Sequence, residues 1–267
     1  MKIGLIIVGD EILSGKRQDK HFSKVLEMLT ERGLALSWVQ YLGDDRQRLT
    51  DTLRLSFAGP DLVFSCGGIG ATPDDHTRQS AAAALGEPLK LHPQAERLIS
   101  ERCARMAREG NGSADMATRE NQQRLQMGVF PQSAQIIENP YNQIPGFSVG
   151  HHHFFPGFPV MAWPMIASVL DSRYGDLFGQ DAMEERAFWV YTLPESAITP
   201  LMEQILANHP GVGVFSLPSA NAVSSRRHIE LGVKGPGDLV GPAFADLRLG
   251  IQQLGGDISD SPPESAE

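Results

Sequence analysis

Apolar positions in the first ninety residues fall into alternating strand-like and helix-like rhythms. Residues 3–8 (IGLIIV) form a continuous apolar run of strand length, rich in β-branched side chains. Residues 19–32 then place Phe22, Val25, Leu26 and Leu29 at helical spacing, and Gly33 stops that helix. LALSWVQYL reads as a second strand. Asp44 or Asp45 caps a helix carrying Leu49, Leu53 and Phe57 and closed by Gly59. DLVFSC is a third strand, and PDDHTRQSAAAAL a helix that ends at Gly86. Thr72 is the expected N-cap of that helix, with Pro73 at its first position and Asp75 at the capping-box position. Continuous apolar strands alternating with helices predict an α/β fold, a mostly parallel sheet covered on both faces.

Further along, residues 93–127 read as two charged amphipathic helices separated by Gly110-Asn111-Gly112. AQIIEN is a strand, and FSVGHHHFF a hairpin turning at Gly150. PGFP precedes a helix over 161–172 with Pro164 in its first turn. Residues 1–178 thus form one domain, followed by the polar linker GDLFGQDAMEE. The pattern restarts over 186–258 in the order β-α-β-β-α, which predicts a small α+β domain with Trp189 and Tyr191 as packing residues. Residues 259–267 are acidic and proline-containing, and read as a disordered tail.

Ligands of such sheets bind at the carboxyl ends of the strands. The loops there are GDEILSG, GDD and GGIGATPDD, so the glycine and carboxylate clusters share one rim. Gly67, Gly68 and Gly70 permit positive φ and let backbone N–H groups approach an anion. A capped helix would explain Thr72, Pro73 and one aspartate, but neither the three glycines nor the second aspartate. Gly9-Asp10-Glu11, Asp44, Asp45, Asp74 and Asp75 crowd the same rim. Like charges raise one another's pKa unless a cation intervenes, and hard oxygen donors suit Mg²⁺ or Mn²⁺ bridging to phosphates. GDEILSGKR has one residue too many for a Walker loop, and GIGATP lacks the third glycine of the dinucleotide fingerprint. On a strand only His151 and His153 could share a ligand, and His151-His152-His153 reads as a partly solvated hairpin without a metal role.

With 267 residues, 41% hydrophobic and 21% charged, the chain has room for one large and one small domain of ordinary globular composition. A net charge of −9 argues against nucleic acid or anionic membrane as partner, while leaving local anion binding by amides open. Cys66 and Cys103 read as reduced, buried thiols of a cytoplasmic protein. No apolar run approaches the roughly 18 residues of a membrane span. MKIGLIIVGDE lacks a cleavage site and reads as a strand rather than a signal peptide.

GDEILSG, GDDRQRL, CGGIGATPDDHT, NPYNQIPGF and FFPGFP, in this order over residues 1–178, resemble the molybdopterin-binding domain shared by MoaB, MogA, gephyrin and competence/damage-inducible protein CinA. The paired aspartates and the NP…PGF segment are most similar to the CinA-type branch, and residues 186–258 resemble its middle domain. The resemblance implies a three-layer α/β/α fold with the site at the strand ends. It implies catalytic and metal-binding roles for Asp44 and Asp75, a phosphate or pterin loop at Gly67, Gly68 and Gly70, and an opposite lip at Pro156-Gly157. Gly9, Asp10, Glu11, Thr72, Asp74, Thr77 and Asn139 complete the expected ligand-binding set. It further implies hydrolysis of ADP-ribose or a similar dinucleotide with Mg²⁺, Mn²⁺ or Co²⁺, and a homo-oligomer, dimer or trimer. The alternatives are adenylyl transfer to molybdopterin, or a binding module without turnover. The deamidase domain of full-length CinA is not expected here. Ala71 departs from the CinA-type pattern, which has proline at this place.

Overall fold

The computed structural model describes residues 1–179, 183–219 and 227–261. The chain folds as two compact units, Met1–Phe178 and Gly179–Glu267.

The first unit is organised around β1 (Ile3–Val8), all of whose residues are buried. Ile3, Leu5 and Ile7 enter one core and Ile6 and Val8 another. Successive strand side chains point to opposite faces, so an unbroken apolar run serves two cores. After β1 come α1 (Asp10–Leu13), α2 (His21–Thr30), β2 (Trp38–Leu42), α3 (Arg46–Phe57), β3 (Leu62–Cys66) and α4 (Thr77–Leu85). An excursion follows through β4 (Leu89–Leu91), α5 (Pro93–Arg108), α6 (Arg119–Leu125) and β5 (Val129–Pro131), with β4 and β5 forming a separate ladder. The unit closes with β6 (Gln135–Ile137), β7 (Gly146–Val149), β8 (His152–Phe155) and α7 (Pro159–Arg173). The main sheet has the order β2-β1-β3-β8-β7-β6, and β7 runs antiparallel to both its neighbours. Side chains of α2 and α7 fill one face, and those of α3, α4 and α5 the other. This is the three-layer α/β/α arrangement.

Three local expectations change. Helix α2 buries His21, Val25, Met28 and Leu29, while Phe22 and Leu26 are exposed. Helix α4 starts at Thr77, so Thr72 is not its cap and Pro73 not its first residue. The Thr72 amide donates to Asp75 Oδ2 at 2.9 Å and the Asp75 amide to the Thr72 carbonyl at 3.1 Å, closing a turn ahead of the helix. Helix α7 starts at Pro159, because the fixed φ of proline suits a first helical position, and Pro164 falls one turn further in.

The histidine hairpin also differs: His152 and His153 are buried rather than partly solvated. His153 bonds Ser148 Oγ through Nδ1 at 2.7 Å and the Tyr174 hydroxyl through Nε2 at 2.8 Å, and His152 Nε2 meets Ser56 Oγ at 2.7 Å. Neutral hydroxyl partners satisfy these rings without charging them.

The second unit contains β9 (Met183–Tyr191), α8 (Glu195–Asn208), β10 (Gly213–Pro218), β11 (His228–Pro236), α9 (Gly237–Gln253) and β12 (Asp257–Ser259). Its sheet, β10-β11-β9-β12, is antiparallel. Phe188, Val190, Leu231 and Val233 pack against Ile198, Val240, Leu247 and Ile251 of the two helices. Strand alternation puts Trp189 and Tyr191 on the opposite face, half-buried, so the core of β9 rests on Phe188 and Val190 instead. Ser259 belongs to β12 and Arg248 pairs with Asp260, so the expected tail does not begin at 259. Residues 262–267 of that expectation, and 180–182 of the linker, lie outside the described residues.

Burial, followed by nearby His151, pushes the pKa of His152 down to about 4; burial, followed by Arg173, pushes that of His153 down to about 3. Below about 6.5 the unfolded chain takes up these protons while the folded chain refuses them. Their stabilisation is therefore complete above pH 6.5 and is lost as the pH falls toward 4 and 3, by about 1.4 kcal/mol per histidine per pH unit. Urea unfolding at pH 7 and pH 5 should show a drop of a few kcal/mol; equal stabilities would contradict the buried neutral pair.

Candidate anion-binding site at the strand ends

Past β3 the chain turns through Gly67 (φ +108°) and Gly68 (φ +68°), backbone conformations that favour glycine. Close packing makes the requirement stricter. A Cβ on Gly67 would lie 2.2 Å from the Val8 carbonyl oxygen, one on Gly68 2.3 Å from Thr77 Oγ1, and one on Gly70 2.5 Å from Asp75 Oδ2. Thr77, fully buried at the start of α4, donates from Oγ1 to the Gly67 carbonyl at 3.0 Å and from its amide to the Gly68 carbonyl at 2.9 Å. A trans peptide sets its N–H opposite its C=O. Tying these carbonyls to Thr77 therefore turns the Gly68 and Ile69 amides the other way. Among the described residues, the amides of Gly68, Ile69, Gly70 and Ala71 meet no protein acceptor. Consecutive free amides of this kind make an anion-binding concavity.

The loops after β1 and β2 are locked together by two reciprocal bonds. The Asp10 amide donates to Asp44 Oδ2 at 2.9 Å, and the Asp44 amide to Asp10 Oδ1 at 3.1 Å. Gly43 makes room, since its Cβ would lie 2.5 Å from Asp10 Oδ1. Burial raises the pKa of Asp44, opposed by the Asp10 amide and reinforced by the charges of Asp10, Glu11 and Asp74. Asp45 caps α3 by accepting from the Arg48 amide at 2.6 Å, which removes it from the crowded rim. Asp75 accepts from both the amide and the hydroxyl of Thr72, whereas the pKa of exposed Asp74 is lowered.

Gly9, Glu11, Asp44, Gly67, Gly68, Gly70, Thr72, Asp74, Asp75, Asn139, Pro156 and Gly157 all line one cleft of 480 Å³. Asp10 and Thr77 do not line it; they hold Asp44 and the glycine loop from behind. Sequence reasoning missed the apolar wall of Met127, Ile144, Pro145, Phe158 and Met161, and the polar Asn142 beside it. The segments NPYNQIPGF and PGFP signalled all of these except Met127 and Met161. Asn139 Nδ2 donates to Asn142 Oδ1 at 2.8 Å and to the Ile144 carbonyl at 3.0 Å, shaping this wall. His21 was missed as well; its Nε2 donates to the Gly157 carbonyl at 3.0 Å and fixes the lip.

No group of three or more His, Cys, Asp or Glu side chains among the described residues is arranged to hold a metal ion. The donor set still suits one kind of ion. Mg²⁺-like cations are commonly held by one or two carboxylates, with waters and phosphate oxygens completing the shell. Asp74 and Asp75, which line the cleft with Asp44, could serve as such donors.

A doubly covered, mostly parallel sheet with a glycine loop at its strand ends defines the fold class. The sequence profile of the family described as "Probable molybdopterin binding domain" matches residues 4–174. The crystal structure of CinA, a protein of unknown function from Thermoplasma acidophilum, superposes with a TM-score of 0.54 at 27% identity, covering 64% of this chain and 98% of that one. A CinA-like protein of Anaeromyxobacter sp. (strain Fw109-5) is 30% identical over 242 residues, 89% of this chain and 56% of its own length. A protein of Aeropyrum pernix is 26% identical over 267 residues, 96% of each chain. The chain belongs to the molybdopterin-binding domain family, in its CinA-type branch. It spans little more than half the length of the Anaeromyxobacter relative. No described helix is long and apolar enough to cross a membrane.

Gly67→Ala and Gly68→Ala should each cost about 2 kcal/mol or more of unfolding free energy. Gly157→Ala, whose Cβ would sit 3.4 Å from Gly67 Cα, should cost less than about 1 kcal/mol. Urea titration of the three variants checks the order; equal losses would contradict the packing of the loop.

Proposed function

We propose that this protein is a nucleotide pyrophosphatase that cleaves ADP-ribose or a similar adenine dinucleotide. The observation that carries this reading is the convergence, in one cleft, of unpartnered loop amides, a carboxylate of raised pKa, Asp44, and an apolar wall. The amides of Gly68–Ala71 receive phosphate oxygens without needing a cationic side chain. Met127, Ile144 and Met161 supply the apolar surface that a flat ring covers.

A divalent ion bound by Asp74 and Asp75 would neutralise charge on the pyrophosphate and leave Asp44 free to act as base. Asp44 accepts the proton of the attacking water as the water oxygen bonds to phosphorus. The bridging P–O bond breaks, and AMP and ribose 5-phosphate leave. A carboxylate with a pKa above its usual range is a stronger base for this step than an ordinary one. Asp10 holds Asp44 in place through their reciprocal bonds, and Asp75 holds the Thr72 turn.

The family's description favours a second reading, in which the ligand is molybdopterin; the step would then be an adenylyl transfer. That reading requires pterin and ATP together before any product forms.

Incubation with ADP-ribose and Mg²⁺, Mn²⁺ or Co²⁺ should release AMP. Asp44→Asn should lower the rate by a factor of about 100 or more. No AMP from the wild type, or equal rates in the variant, would remove the hydrolase. Activity should rise with pH through an acid limb above the usual carboxylate range, since Asp44 must lose its proton to act. A pH-independent rate would contradict that role.

A further inference from the structure

Behind the glycine loop lies a buried cation that makes no contact of its own with the cleft. Arg78, the second residue of α4, is 4% exposed. Its guanidinium donates from one nitrogen to the Gly70 carbonyl and from another to the carbonyls of Gln126 and Val129. Its Nε is buried and meets no acceptor. Among the described residues no carboxylate stands within ion-pair distance of it; the nearby negative charge that acts on it is Asp75, itself engaged with Thr72. A buried charge held only by carbonyl dipoles is a poor choice for folding alone, because an apolar side chain of similar volume avoids its desolvation.

The position of the bonds gives that charge a use. With the Gly70 carbonyl drawn back to Arg78, the trans peptide turns the Ala71 N–H the other way. Gln123 Nε2 takes the next carbonyl, that of Ala71, at 2.8 Å. Gln126 and Val129, the other acceptors, flank Met127 of the apolar wall. One guanidinium therefore braces the anion loop and the ring-facing wall against each other.

We propose that Arg78 is the positioning residue of this site: it aims the Ala71 amide, and its charge, which has no ion-pair partner, is offset by the pyrophosphate that the loop receives. The proposal rests on reading the cleft as a pyrophosphate site, though not on turnover. A planar fork that bonds two chain segments at once has no equivalent in an ammonium group, and none in a thioether.

Calorimetric titration of wild type, Arg78→Lys and Arg78→Met with inorganic pyrophosphate tests it. Binding should weaken about tenfold in Arg78→Lys, which keeps the charge and loses the fork, and by a further tenfold or so in Arg78→Met. Melting curves establish that each variant is folded; if Arg78→Met is not, the tenfold loss in Arg78→Lys decides. Wild-type affinity in both variants would overturn the proposal. Equal losses in Lys and Met would overturn the electrostatic role, leaving Arg78 a mere brace. A wild type that binds no pyrophosphate would overturn both this proposal and the pyrophosphatase. Arg78-dependent binding without AMP release from ADP-ribose would support this proposal and defeat only the hydrolase.

Discussion

The hydroxyl and amide of Thr77 hold two successive carbonyls of the loop that follows β3. Everything else at the strand ends depends on that restraint. A peptide group has one donor and one acceptor pointing in opposite directions, so restraining the acceptors on the helix side presents the donors on the cleft side. Glycines at 67 and 68 are what let the backbone come this near to Thr77 and Val8. The short β3–α4 connection is thus less a turn than a frame for four amides.

The surrounding charges make sense only against that frame. An acidic protein with five aspartates and a glutamate near one rim should repel phosphates. Folding reduces the conflict: Asp45 is spent on a helix cap, Asp10 and Asp44 lock each other through backbone amides, and Asp75 closes the Thr72 turn. What remains facing the cleft is a smaller negative set centred on Asp44, whose pKa is raised by burial first and by the charges of Asp10, Glu11 and Asp74 after it. Favourable donors on one side and excess carboxylate on the other suit a ligand that arrives with a cation.

Much of this could be read from residue order. The apolar runs at 3–8 and 62–66 announced a doubly covered sheet, and the rim followed from where those runs end. Thr72-Pro73-Asp74-Asp75 misled, because a cap signature and a closed turn use the same residues. The choice between them was made by Thr77 reaching back to Gly67, a contact ten positions away that no local pattern encodes. Met127 and Arg78 were illegible for a similar reason: each acts through the excursion between α4 and β6, whose return to the loop is a matter of tertiary packing. His152 and His153 looked solvated because their polarity hid their partners, two serines and a tyrosine far apart in the chain.

The amides of Gly68, Ile69, Gly70 and Ala71 report on the central claim most directly. In an isotope-labelled sample titrated with ADP-ribose, followed by amide nuclear magnetic resonance, these signals should move first and farthest, with Asp44 close behind. Signals shifting elsewhere while these four stay fixed would mean that the loop does not receive the anion.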